Sequence, residues 1–286
     1  MAQRDRPGRL EGRTCLIVGG TGGIGLASAR RFLQEGATLV ISGRADGSIE
    51  FANQELAGLG KVTALVADLA DRDAIAGLVP RAVEVLGGRL DILFHVAGMS
   101  GRKFGDGPLD SCTDDGWDGT LDANARSVFL TNRAAVRQML SQPLDDVGLR
   151  GTVVNTGSVL GQSPSPRLFN TFAYSAAKGA LRSMTLSAAS TFAPQRIRFN
   201  LVVPSLIDTP MAARSTTNPT YLHYLRTKQP LASGPGRPDD VAEAALYLCE
   251  PASRFVTGAI LAVDGGWCLS EGQHEGSSAD DADGRR

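Results

Sequence analysis

The sequence predicts an α/β fold: one doubly wound parallel sheet, about seven strands, with helices on both faces. Two observations carry that reading. Short apolar runs alternate with segments of helical period from Thr14 to Val263, the pattern of parallel strands joined by crossover helices. A glycine-rich turn, Val18-Gly19-Gly20-Thr21-Gly22-Gly23-Ile24-Gly25, links the first apolar run to the first helix. No internal repeat or second core interrupts the series, and 286 residues suit one large domain.

Residues 1–12 are polar and basic and read as a flexible arm, ahead of a single domain over 13–270. Thr14 to Val18 is apolar and of strand length, hence a buried strand. Ile24 to Glu35 has helical period, and Gly36 closes it as a C-cap. Thr38 to Ser42 is the second strand. Ser48 to Leu59 is a helix that stops before Gly60. Val62 to Ala67 is the third strand, Asp71 to Leu86 a helix and Leu90 to Val96 the fourth strand. A long helix covers Asp114 to Leu140. Thr152 to Asn155 is the fifth strand, and the helix holding Tyr174 and Lys178 runs to Thr191. Arg196 to Val202 is the sixth strand. Met211 to Pro235 forms a loop with a short helix, of the length common in lids. Pro238 to Cys249 is a helix with proline in its first turn, and Ala259 to Val263 is the last strand. Residues 271–286 are polar, charged and without period, so they read as a disordered tail.

Composition excludes several classes. The formal net charge is -1, which leaves no electrostatic drive toward nucleic acid or an anionic membrane. No apolar run reaches the ~18 residues of a membrane helix. Met1 to Arg13 lacks the apolar centre of a secretory signal. Cys15, Cys112, Cys249 and Cys268 are scattered without metal spacing and read as reduced thiols of a cytoplasmic protein. His95, His223 and His274 are equally dispersed, so no metal site is predicted, and His223 reads as a rim residue.

A strand, a glycine turn and a helix together make an anion site. Glycines let the backbone approach a pyrophosphate, and the helix N-terminus offers it N–H groups. Two registers fit: Gly20, Gly22 and Gly25 satisfy GxGxxG, and Gly19, Gly23 and Gly25 satisfy GxxxGxG. The end of the second strand selects the nucleotide. An acid there binds the ribose 2′-OH of NAD and repels the 2′-phosphate of NADP. Ser42-Gly43-Arg44 has no acid and offers a cation suited to phosphate. NADP(H) is therefore favoured over NAD(H), with Asp46 as the competing signal.

Tyr174-Ser175-Ala176-Ala177-Lys178 carries the chemistry. Residues four apart share one helix face. A phenol ordinarily ionises near pH ~10, and a neighbouring ammonium lowers that value. A tyrosine so tuned exchanges a proton with an alcohol or ketone oxygen.

With the glycine turn upstream and Ser158 closing an apolar strand, the sequence resembles the short-chain dehydrogenase/reductase family from Gly12 to Leu269. Gly236-Arg237-Pro238-Asp239-Asp240-Val241 and Val263-Asp264-Gly265-Gly266-Trp267 also match it. The resemblance implies a Rossmann-like fold, a nicotinamide cofactor and the GxxxGxG register. Asn124, Ser158, Tyr174 and Lys178 match the family's catalytic pattern. By that resemblance Ser158 holds the substrate oxygen and Tyr174 exchanges the proton. Lys178 lowers the tyrosine pKa and bonds the nicotinamide ribose. Asn124 sits in an interrupted helix that helps hold a water between Lys178 and solvent.

The same resemblance assigns a cofactor site. Gly19, Thr21, Gly22, Gly23, Ile24 and Gly25 would cradle the dinucleotide, with Gly43 and Arg44 beside it. Asp68 and Leu69 would meet the adenine, and Asp68 equally suits a helix N-cap. Ala97 and Gly98 would admit the ribose. Pro204, Ser205, Ile207 and Thr209 would border the nicotinamide. Three residues depart from the pattern: Val18 for threonine, Val96 for asparagine and Ser205 for glycine. The span from Ser158 to Tyr174 is longer than usual, with the extra material in Gln162 to Asn170.

The substrate mouth reads as Met99, Leu168, Phe169, Phe172, Met211 and Tyr221. Arg102, Lys103 and Arg167 are the alternative contacts, for an acid or a phosphate. The expected function is hydride transfer between a nicotinamide cofactor and a secondary alcohol or ketone. Alternatives within the family are a 3-oxoacyl thioester reductase and an NAD-dependent sugar or polyol dehydrogenase. The alternative of another class is a non-catalytic nucleotide-binding regulator. The family also implies a homo-oligomer, a tetramer first and a dimer second.

Overall fold

The computed structural model describes residues 7–165 and 167–272. Seven strands form an all-parallel sheet in the order β3-β2-β1-β4-β5-β6-β7. They are β1 (Thr14–Val18), β2 (Thr38–Gly43), β3 (Val62–Val66), β4 (Ile92–His95), β5 (Gly151–Thr156), β6 (Ile197–Pro204) and β7 (Ile260–Val263). β1 lies between β2 and β4, so the chain winds outward in opposite directions from this point. Loops leaving the carboxyl ends of β1 and β4 therefore part, and the crevice between them is where open α/β sheets bind ligands.

Helices cover both faces, which is why the strands read as continuous apolar runs. On one face Ile17, Phe94, Val154 and Val202 pack with Phe32 of α1 (Gly23–Gln34) and Leu246 of α9 (Pro238–Cys249). On the other, Leu16, Leu93, Val153 and Phe199 meet Leu78 of α3 (Arg72–Val85) and Met139 of α5 (Ser127–Ser141). A third cluster joins Val159, Leu181, Leu201, Tyr224 and Trp267 at the carboxyl end of the sheet. It unites α6 (Phe172–Phe192) with α8 (Pro219–Lys228). Short α2 (Asp46–Leu56) and α7 (Ala213–Thr216) complete the set with α4 (Asp114–Leu121).

The long helix expected over 114–140 carries the interruption that the resemblance implied at Asn124: a π-helical turn, Asp122–Arg126, separates α4 from α5. Two other expectations change. The flexible arm expected over 1–12 is docked in its described part. Leu10 is fully buried, its N–H bonds the Glu35 carbonyl at 2.9 Å, and Arg9 pairs with Glu243 and Glu250. One apolar side chain and one paired cation suffice to anchor a segment that looks polar overall. The loop expected over 211–235 holds two helices, α7 and α8. Residues 1–6 and the expected tail from 273 onward lie outside the described residues.

Candidate active site

The turn after β1 is built to bring backbone close to something. Gly19 has φ 86°, and a Cβ there would lie 2.8 Å from Ala97. A Cβ on Gly25 would lie 2.0 Å from the Gly19 carbonyl oxygen. Gly23 also has positive φ, 49°, whereas a Cβ on Gly22 would meet nothing within 4 Å. The backbone thus requires glycine at the positions of the GxxxGxG register. Gly22 caps α1 without a side-chain bond to its first N–H groups, which leaves them for an anion.

The departures from the family pattern are absorbed locally. The Ser42 carbonyl accepts from Gly19 at 3.1 Å and Gly20 at 2.9 Å. It braces the turn from β2, without the hydroxyl that Val18 lacks. The Val18 carbonyl accepts from Val96 at 3.0 Å and Ala97 at 2.8 Å, tying β1 to β4 where asparagine is missing. His95 bonds Thr131 at 2.8 Å through Nδ1. It is fully enclosed, and burial, helped by the Lys178 charge, pulls its pKa to about 3.

One cavity of about 780 Å³ runs from the glycine turn along the carboxyl edge of the sheet. Gly19, Thr21, Gly22, Gly23, Ile24, Gly43, Arg44, Asp68 and Leu69 line one end, while Ala97, Gly98, Pro204, Ser205, Ile207 and Thr209 line its middle with Ser158, Tyr174 and Lys178. Gly25 and Asn124 stand behind the wall rather than on it. The helix-cap role open to Asp68 falls to Asp71, which accepts from Asp73 and Ala74. Asp68 instead bonds Ala70 at 3.0 Å. A glycine cradle, an uncapped helix N-terminus and a side-chain-free approach at Gly98 fit a dinucleotide.

Ser158 is delivered by the end of β5, and Tyr174 and Lys178 by successive turns of α6. Ser158 Oγ accepts from Leu160 N–H at 3.2 Å. Lys178 Nζ donates to the Thr156 carbonyl at 2.9 Å and stands 5.6 Å from the Tyr174 ring centroid. Burial pushes the Tyr174 pKa up, and Ser158 opposes that rise. The expectation of a lowered Tyr174 pKa is therefore corrected: desolvation wins. Tyr174 keeps its proton through neutral pH. Burial also brings the Lys178 ammonium down to about 8.

The π-helical turn sets Asn124. Its Nδ2 donates to Met99 O at 2.9 Å and Thr120 O at 3.0 Å, and its Oδ1 accepts from Met99 N at 3.1 Å. Asn124 thus clamps both main-chain polar groups of Met99, in the loop after β4. A Cβ on Gly98 would lie 2.7 Å from Asn124 Oδ1 and 3.5 Å from Lys178 Nζ, so these groups converge under that glycine.

Asp106 escaped the sequence reading. It is 5% exposed, and its carboxylate accepts from Ala173 N at 2.9 Å and Tyr174 N at 3.1 Å. Thr171, the local cap residue of α6, makes no side-chain cap bond. The cap comes from 68 residues away in sequence, so no local pattern announces it. Asp106→Ala is expected to cost about 1–2 kcal/mol of stability, read by urea denaturation, and to lower turnover. Asp106→Asn should recover part of both. Wild-type stability in the alanine variant would contradict this role.

At the far end Met99, Leu168, Phe169, Met211 and Tyr221 line the cavity, joined by Arg102, Lys103, Arg214 and Trp267. The long Ser158–Tyr174 segment is docked in its described residues: Tyr221 Oη donates to Leu168 O at 3.0 Å, and Ser165 meets Tyr224 Oη at 3.1 Å. Phe169 packs edge-on against Tyr221 at 5.1 Å and Trp267 at 5.4 Å. Phe172 does not line the cavity. It precedes Tyr174 by two positions, about 200° around the helix, and is exposed on the other side. Arg167 and His223 are exposed and also off the wall.

A glycine-cradled cavity joined to a serine, a tyrosine and a lysine defines the class: an NAD(P)-dependent oxidoreductase. The family model for enoyl-(acyl carrier protein) reductase matches residues 19–268. The 3-oxoacyl-[acyl-carrier-protein] reductase FabG of Thermotoga maritima is 34% identical over 259 residues, 90% of this chain and 98% of that protein. The NADP-dependent (R)-specific alcohol dehydrogenase of Lentilactobacillus kefiri is 32% identical, over 91% of this chain and 98% of that protein. Among solved structures, a short-chain type dehydrogenase/reductase from Mycobacterium ulcerans superposes with TM-score 0.82 at 29% identity, over 91% of each chain. The chain belongs to the short-chain dehydrogenase/reductase family. It is an oxidoreductase that moves hydride between a nicotinamide cofactor and a secondary alcohol or ketone.

Proposed function

We propose that this chain prefers NADP(H), and that Ser158, Tyr174 and Lys178 carry its chemistry on a ketone or secondary alcohol. The observation behind this is one cavity that joins Arg44, at an acid-free strand end, to those three residues. The bound cofactor supplies or accepts the hydride. Ser158 donates a hydrogen bond to the substrate oxygen and holds it. Tyr174 Oη gives that oxygen a proton in reduction and takes it back in oxidation. Lys178 keeps a positive charge beside the phenol as its proton leaves and anchors the ribose. Asn124 holds the main chain of Met99 and so that part of the cavity wall. The NADP-dependent relative from Lentilactobacillus kefiri supports the choice of nucleotide.

Arg44→Ala is expected to weaken NADPH binding by about tenfold, from a lost charge-assisted phosphate contact, and NADH binding far less. Fluorescence titration reads both. Equal losses would show Arg44 stacking on adenine only. An acid at Gly43 is a poorer test: a Cβ there would lie 2.5 Å from Thr21 Cγ2 and disturb the glycine turn.

The proposal extends to a homotetramer in the cytoplasm, with a dimer as the smaller alternative, an assembly whose size light scattering reads directly. Phe129 and Leu140 on α5, Leu186 on α6 and Leu269 after β7 stay exposed, on the elements through which the family pairs. All four cysteines are free thiols. No helix among the described residues is long and apolar enough to cross a membrane.

A further inference from the structure

The cavity is asymmetric in charge. Asp68, near the glycine turn, is the single carboxylate among its described lining residues. Arg102 and Lys103, from the turn after β4, line it on the Leu168 side, and Arg214, from α7, lines it three residues after Met211. None of these three forms an ion pair among the described residues. Arg102 donates to the Leu168 carbonyl at 3.5 Å, and Lys103 lies 4.7 Å over the Phe104 ring. Eight other arginines of the chain, among them Arg9, Arg13 and Arg89, have carboxylate partners. Arg102, Lys103 and Arg214 are therefore supplied without an internal counter-charge.

Their place in the wall says what they face. Leu168 O accepts from both Arg102 and Tyr221. Arg102 thus belongs to the Leu168–Phe169 wall, not to the Arg44 end. That wall is apolar, with Phe169 set between Tyr221 and Trp267. An apolar surface edged by unpaired cations suits a ligand with an apolar body and an anionic end. Arg167, the third cation considered from sequence, lies off the cavity.

We propose that the substrate is an anionic ketone or alcohol. Its apolar body would lie along Leu168, Phe169 and Met211, and Arg102 and Arg214 would hold its carboxylate or phosphate. Lys103 adds attraction from the rim. The proposal rests on the reading that this site works on ketones, and it adds that a neutral ketone is a poor substrate.

The test is calorimetric binding to the enzyme–NADP complex, in which ketones bind without reacting. The probes are 4-acetylbenzoate, its methyl ester and 4-acetylphenyl phosphate. At least one anion should bind about tenfold tighter than the ester, the scale of one charge-assisted bond, and the advantage should shrink in high salt. A larger advantage for the phosphate would identify phosphorylated substrates, and for the benzoate, carboxylates. Arg102→Met and Arg214→Met should each reduce the anion preference and leave NADP affinity unchanged. Equal binding of ester and anions, no detectable anion binding, or loss of NADP affinity instead of anion preference would each overturn the proposal. Reduction of the ester as fast as the anions would sink it and leave the ketone-reductase reading intact. Anion-selective binding with no turnover of any ketone would instead count against that reading.

Discussion

Tyr174→Phe is expected to lower ketone reduction by about 10²–10⁴-fold, the range for loss of a general acid, with NADPH affinity nearly unchanged. The substitution keeps the ring, which α6 and the Asp106 cap hold in place. It removes only the hydroxyl of a residue that lines the cavity with Ser158. Because burial holds the phenol pKa up, the group is a proton donor across neutral pH. Steady-state turnover and a fluorescence titration check both halves. A variant that reduces its substrate at the wild-type rate would remove Tyr174 from the chemistry.

Lys178→Met should nearly abolish turnover and weaken NADPH binding, yet stabilise the cofactor-free protein near pH 7. Lys178 is 5% exposed, and its pKa stands at about 8 against an ordinary 10.5. Between those values the unfolded chain holds a proton that the folded chain lacks, so this site's contribution to stability rises with pH across that window. Below it the buried ammonium costs on the order of 3 kcal/mol. The hydrogen bond to Thr156 returns about 1 kcal/mol, which leaves a net gain on the order of 2 kcal/mol for methionine. The gain should fade as pH approaches 10.5. Thermal melts at both ends of the window measure it, and a variant less stable than wild type at pH 7 would contradict the account. In the wild type, kcat/KM for NADPH should fall as pH rises through about 8, where Lys178 loses its charge.

Much of this was legible in the sequence because it was local. Buried parallel strands read as apolar runs, and each of the seven was located within about two residues. The glycine turn was legible because Gly19, Gly23 and Gly25 answer a backbone requirement that no other residue meets well. What stayed hidden depended on contacts across the chain. Asp106 caps a helix that begins 66 residues later. Leu10 anchors a segment whose other residues look solvated. Trp267 reaches the cavity because the segment after β7 folds against Phe169 and Tyr224, and Arg214 because α7 borders the same cavity. Phe172 was apolar and near in sequence, but helical rotation turned it away. The sign of the Tyr174 shift depended on how much protein surrounds the oxygen, which residue spacing does not encode.

The central claim is that nicotinamide and ketone meet beside Tyr174, with hydride passing directly between them. Isotope tracing tests it most directly. The enzyme is given a ketone and NADPH carrying deuterium at the transferable C4 position, and the alcohol is analysed by mass spectrometry. The account predicts one deuterium on the carbinol carbon with the wild type, and almost no labelled alcohol with Tyr174→Phe in the same time. Alcohol without deuterium on that carbon, or equal labelled product from the variant, would contradict it.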